Sequence, residues 1–143
     1  MRKRSVLAIG LLSVSTWLAM PVARAATTNE QANMVGSEEV PGPGDPDGKA
    51  VAKIALDDVA NTVCWNFTYT LIDKPTAAHI HVGARGVAGP PVVTLDIVKG
   101  NTGCVGADPT TVAQIRDNPA GYYVNIHNNQ YPKGAIRGQL FKP

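Results

Sequence analysis

Between residues 49 and 141 the chain passes through six short segments rich in β-branched and aromatic residues: KAVAKIAL, NTVCWNFTYTL, TAAHIHV, PVVTLDIV, GYYVNIH and GAIRGQLF. Apolar and polar positions alternate within them, the two-residue period of strands that rest one face on a core. Dense punctuation separates the segments, with PGPGDPDG from residue 41, DKP from 73, GARGVAGPP from 83, KGNTG from 99, DNPAG from 117 and NNQYPKG from 128. Gly, Pro, Asn and Asp in such clusters are turn formers. The spacing predicts an all-β fold, an antiparallel β-sandwich or small barrel with at most one short helix. DPTTVAQIRDNP is the one stretch that predicts a short helix, with Asp108 as its cap, Pro109 in its first turn and Asn118-Pro119 ending it. The chain has no internal repeat.

Alternation assigns side chains to faces. In TAAHIHV, Ala78, Ile80 and Val82 share one side, while His79 and His81 share the other. In GYYVNIH, Tyr122, Val124 and Ile126 form the apolar side, leaving Tyr123, Asn125 and His127 opposite. In the last segment Ile136 and Leu140 oppose Arg137 and Gln139. Val63, Trp65, Phe67, Tyr69 and Leu71 alternate against Cys64, Asn66, Thr68 and Thr70, with Trp65 and Phe67 as expected core anchors. All three histidines of the chain therefore lie on the face that each strand turns away from the core.

Residues 1–25 change the charge picture. MRKR is a positive n-region, SVLAIGLLSVSTWLAM an apolar stretch too short and serine-rich for a comfortable membrane span, and ARA a small-residue cleavage site. The expectation is a signal peptide cleaved after Ala25, a periplasmic or secreted protein, and no membrane span after cleavage. Of the 13 basic residues four (Arg2, Lys3, Arg4, Arg24) fall in this segment with none of the 11 acidic ones, so nine basic against 11 acidic residues remain. A slightly acidic mature chain argues against nucleic acid as a partner. Residues 26–143 suit one domain. Export also exposes the only two cysteines, Cys64 and Cys104, to oxidising conditions in which they are expected to pair; unpaired small residues or thiolate ligands are the alternatives, and no CxxC spacing favours metal.

His79-x-His81 on a strand places two imidazoles one pleat repeat apart, close enough to converge on one ion. By itself the pair is also compatible with two histidines on a solvated sheet face. His127 ends another strand of the same polarity pattern, and three nitrogen ligands without carboxylate or thiolate favour copper or zinc over calcium or magnesium.

The blocks EEVPGPG, AAHIHVGARGVAGPPVVTL and AGYYVNIHNNQYPKGAIRGQL resemble those of the CHRD domain, named from chordin, over about residues 32–141. That resemblance implies a β-sandwich. More distantly, the same blocks are similar to the copper/zinc superoxide dismutases, whose strands carry an HxH pair, a later histidine after an apolar strand, and an arginine near the C-terminus. This likeness implies a Greek-key, superoxide-dismutase-like fold, copper ligation by His79, His81 and His127, and an Arg137 beside the metal that attracts superoxide; an Arg137 that instead hydrogen-bonds neighbouring loop carbonyls to hold PKGAIRGQL in place is the alternative of equal weight. The chain departs from that pattern between His81 and His127, where it has neither the bridging histidine nor the zinc-loop histidines, so no zinc site is expected. A three-histidine copper would keep a position open to water. Asp96, Asp108 and Asp117 in this interval read as turn and cap residues.

Other motifs carry less. DPDG with Glu38 and Glu39 lacks the regular oxygen-ligand loop of a calcium site; GARGVAG opens no helix and makes a poor phosphate cradle; the NFT sequon lies inside a strand; and Ser37, the only serine beyond the signal segment, has no nucleophile-elbow context. Two function classes stay open. One is a copper site, either redox-active toward superoxide or holding copper in the envelope; the other is a non-catalytic β-sandwich that binds an envelope protein or surface polymer. Whether the protein is an enzyme is left undecided by the sequence.

Overall fold

The computed structural model describes residues 27–143, so the expected signal peptide lies outside the described residues. Eight strands form one antiparallel sheet: β1 (Thr27–Val35), β2 (Lys49–Asp57), β3 (Thr62–Thr70), β4 (Pro75–Val82), β5 (Pro91–Leu95), β6 (Thr102–Gly106), β7 (Tyr122–Asn128) and β8 (Ile136–Gln139). Their order in the sheet is β5-β4-β7-β8-β1-β2-β3-β6. The edge strands β5 and β6 approach each other, so the sheet nearly closes into a barrel. Among the described residues no helix is long and apolar enough to cross a membrane.

The apolar positions picked out by alternation fill the interior. Ile54, Leu56, Val63, Ile80, Val124, Ile126, Ile136 and Leu140 are all buried, and Trp65 and Phe67 are 6% and 2% exposed. Trp65 lies flat against Gly103 of the neighbouring strand, where a Cβ would overlap the indole ring. Truncating either aromatic to alanine is expected to cost about 3–5 kcal/mol. Helix α1 (Pro109–Asp117) forms where its signals place it: the Asp108 side chain accepts a hydrogen bond from the Thr111 N–H at 3.0 Å. Its Val112 and Ile115 are buried in the core. Asp96 pairs with Lys99 and Asp117 with Arg116, consistent with surface and turn roles. In DPDG the Asp45 carboxylate accepts the Gly48 N–H and closes a turn.

Two strands were not foreseen. β1, TTNEQANMV, is largely polar and carries β-branched residues only at its ends, yet Glu30, Ala32 and Met34 alternate inward and β2 supplies a full register of partners. β6 falls in KGNTG and the residues after it, whose glycines read as a turn; pairing with β3 overrides that local preference. Two apolar residues are also misplaced by simple alternation. Leu71 is 66% exposed with φ at 58°, because β3 ends at Thr70 and the chain turns there. Val82 is 38% exposed at the end of β4, beyond an irregularity in the pairing of β4 with β5 between Ile80 and His81.

Cys64 and Cys104 face each other across β3 and β6 and form a disulfide. It spans a sequence separation of 40 residues, for which loop-closure entropy gives a stabilisation of about 4 kcal/mol. Urea unfolding with and without a reductant should therefore show a loss approaching this value, and Cys64→Ala/Cys104→Ala should match the reduced protein. Equal midpoints for oxidised and reduced forms would refute the estimate.

Candidate metal centre

His79, His81 and His127 come together. Strand β4 pairs with β7 so that Ala77 faces His127, His79 faces Asn125 and His81 faces Tyr123. One ligand atom from each histidine lies within 4.8 Å of the others. His79 Nδ1 is 3.2 Å from His127 Nε2, close to the separation of about 3.3 Å that two nitrogens 2.0–2.1 Å from a tetrahedral metal would have.

The outward ring nitrogens are tied to backbone. His81 Nδ1 donates to the Gly89 carbonyl at 2.8 Å, and His127 Nδ1 donates to the Pro132 carbonyl at 3.2 Å. Each carbonyl fixes the tautomer and leaves Nε2 with its lone pair toward the cluster, as second-shell acceptors do for histidine ligands. Burial, followed by the like charges of His127 and His81, holds the His79 pKa below the usual imidazole value. Burial likewise lowers that of His127, against the opposing bond to Pro132. Both shifts favour the neutral, metal-ligating form. The residues present thus fit a nitrogen-loving divalent ion.

This face is only partly solvated, with His79 and His127 half-buried. His81, Tyr123, Asn125 and Arg137 are buried, covered by the loop of residues 83–90. The His81 and Tyr123 rings stack with centroids 4.8 Å apart and planes 10° from parallel. Tyr123 Oη bonds both the N–H and the carbonyl of Gly89, a position where a Cβ would overlap the Val82 carbonyl. Gln139 ties down the Gly83 carbonyl from β8.

Arg137 lies on the same face, one strand over from the histidines' partner strand. Across β4-β7-β8 the register aligns His79, Asn125 and Arg137 in one row and His81, Tyr123 and Gln139 in the next. The guanidinium lies over the tyrosine ring at 3.4 Å from its centroid, and Nη2 donates to the carbonyls of Ala84 and Val87 at 3.0 and 2.9 Å. The arginine holds the loop from a position opposite Asn125, the residue that faces His79. Behind it lies Glu39, packed under Gly134, which sequence reasoning had treated only as a calcium candidate. Glu38 pairs with Arg85 of the same loop.

An all-β, nearly closed barrel with a histidine trio and a polar network on its outer side is the class that fold and site define. Within that class the chain belongs to the CHRD domain family, whose model matches residues 31–140. No curated protein and no solved structure matches it.

Two outcomes follow from the network. Arg137→Ala strips both loop carbonyls and Glu39 of their cationic neighbour, so chemical unfolding should show a loss of about 3 kcal/mol; a loss below about 0.5 kcal/mol would mean the loop holds itself. Glu39 is 6% exposed, and burial pushes its carboxyl up to about 7 from the usual 4.5, against the pull of Arg137 and the Val40 N–H. Between these values the folded state keeps a proton that the unfolded state has lost. Stability from this group is thus greatest below pH 4.5 and falls as pH rises through about 7, by at most about 1.4 kcal/mol per pH unit. Unfolding curves at about pH 5 and pH 8 should show this decline, and Glu39→Gln should flatten it; an unchanged slope in the variant assigns the effect elsewhere.

Proposed function

We propose that the protein works outside the cytoplasm and binds one copper ion through His79, His81 and His127, holding the ion rather than turning over superoxide. The observation that carries this reading is the convergence of three ligand nitrogens within 4.8 Å, two of them on rings whose other nitrogen is committed to a backbone carbonyl. Copper is favoured among divalent ions because an all-imidazole set follows the order of intrinsic affinities, which peaks at Cu(II). The disulfide and the signal-like first 25 residues support an oxidising compartment.

A holding role fits the surroundings of the cluster better than dismutation does. An arginine that draws an anion to a metal must face the open coordination side, whereas Arg137 turns its Nη2 to the loop carbonyls of Ala84 and Val87 and lies on the Tyr123 ring. The interaction-module alternative predicts no specific metal at all.

The test is titration of the metal-free protein with Cu(II), followed by EPR. One equivalent should bind, and His127→Ala should weaken binding at least about 100-fold, since even loss of an outer-shell partner costs 10- to 100-fold. If His127→Ala binds like the parent, the three do not form one site. A parent that takes up no copper leaves the interaction module.

A further inference from the structure

Asn125 stands at the centre of the histidine cluster. It lies directly across from His79, with His81 one pleat repeat along β4 and His127 one repeat along β7. Its side chain is on the same face as all three, and the residue is 3% exposed. Its amide oxygen is 3.1 Å from His81 Nε2.

That contact joins two atoms that repel unless something positive lies between them. The Gly89 carbonyl has only lone pairs to offer, so the 2.8 Å bond from His81 Nδ1 requires the ring hydrogen to be on Nδ1. A neutral imidazole has one such hydrogen, which leaves Nε2 with a lone pair directed at the lone pairs of the Asn125 oxygen. Buried polar atoms in native proteins are seldom left facing like atoms without compensation. A separation of 3.1 Å also suits a nitrogen and an oxygen that share one metal ion, since ligands about 2.0–2.2 Å from a common centre lie about 3 Å or slightly more apart.

Resting on the three-histidine reading above, we propose that Asn125 supplies a fourth ligand through its side-chain oxygen, making the site three nitrogens and one oxygen rather than three nitrogens and water. An amide oxygen is harder than imidazole, so the completed set favours a divalent ion over Cu(I). Neutral and weakly held, it is comparable to the amide or backbone oxygen that takes the long axial position in some copper sites of two histidines and a cysteine. It also occupies the place that water would take.

The experiment uses Cu(II) alone as probe, on the parent and on Asn125→Val. The parent should give a low water-proton relaxation enhancement. Asn125→Val should raise that enhancement, shift the parallel g and hyperfine values of the EPR spectrum, and weaken Cu(II) binding about 10-fold or more. An amide that only donates its NH2 to His81 Nε2 predicts unchanged relaxivity and EPR in the variant, and that result would overturn the proposal. Should Asn125→Val fail to fold, the parent decides alone: a relaxation enhancement typical of copper with directly bound, exchanging water overturns it, and a low value supports it. His127→Ala in the same series keeps the two readings apart. If that variant loses copper while Asn125→Val matches the parent, only the fourth ligand is refuted; if His127→Ala also matches the parent, the three-histidine site itself is refuted.

Discussion

The register between β4 and β7 is the constraint on which the candidate site depends. Ala78 pairs with Ile126 and Ile80 with Val124 on the core side, all buried. Because side chains alternate strictly, fixing those apolar pairs also fixes His79 against Asn125 and His81 against Tyr123 on the other side. A slip of one residue would carry His79 and His81 into the core and their apolar neighbours out of it. The hydrophobic effect therefore sets the geometry of a polar cluster without touching it: the energy that specifies the site is spent on its reverse face.

Covering that cluster creates a second constraint. A sheet face that carries His81, Tyr123, Asn125 and Arg137 can be buried only if its polar atoms find partners. The 83–90 loop supplies them as backbone carbonyls: Gly89 for His81 and Tyr123, Ala84 and Val87 for Arg137, and Gly83 for Gln139. Gly89 must lack a side chain for the loop to come this close. Loop, tyrosine and arginine thus form one structure, in which the orientation of the His81 ring is a consequence of the loop's path.

Much of this was legible in the sequence because the relevant signal has a period of two. The histidines' shared face, the helix with its Asp108 cap, the core role of Trp65 and Phe67 and the Cys64–Cys104 pair all follow from alternation, capping chemistry and export. Strands β1 and β6 were not legible, since β1 turns Glu30 inward and β6 is glycine-rich, so their strand character comes from their neighbours' pairing. Leu71 and Val82 escaped because a turn and an irregular pairing shift them off the faces that parity assigns. Asn125 was on the right face but carried no distinguishing mark, since an asparagine two residues before a histidine becomes informative only when the partner strand places His79 opposite it. The resemblance to superoxide dismutases places Arg137 by chain order, which does not show that it pairs with Asn125 and turns its Nη2 to the carbonyls of the 83–90 loop.

The arrangement around the histidines bears on what such a site is suited to do. Three of its elements are held before any ligand arrives: His81 by Gly89 and by stacking on Tyr123, His127 by Pro132, and Asn125 by burial between β4 and β8. Side chains already ordered lose little entropy on binding, and affinity gained in this way comes mostly as slow release. Low reorganisation alone would serve holding and electron transfer equally. Arg137 bears on the difference, because its Nη2 is turned toward loop carbonyls. In the proposed reading, a prearranged ligand set whose neighbouring arginine is engaged with the loop suits retention of an ion better than rapid encounter with a small anion.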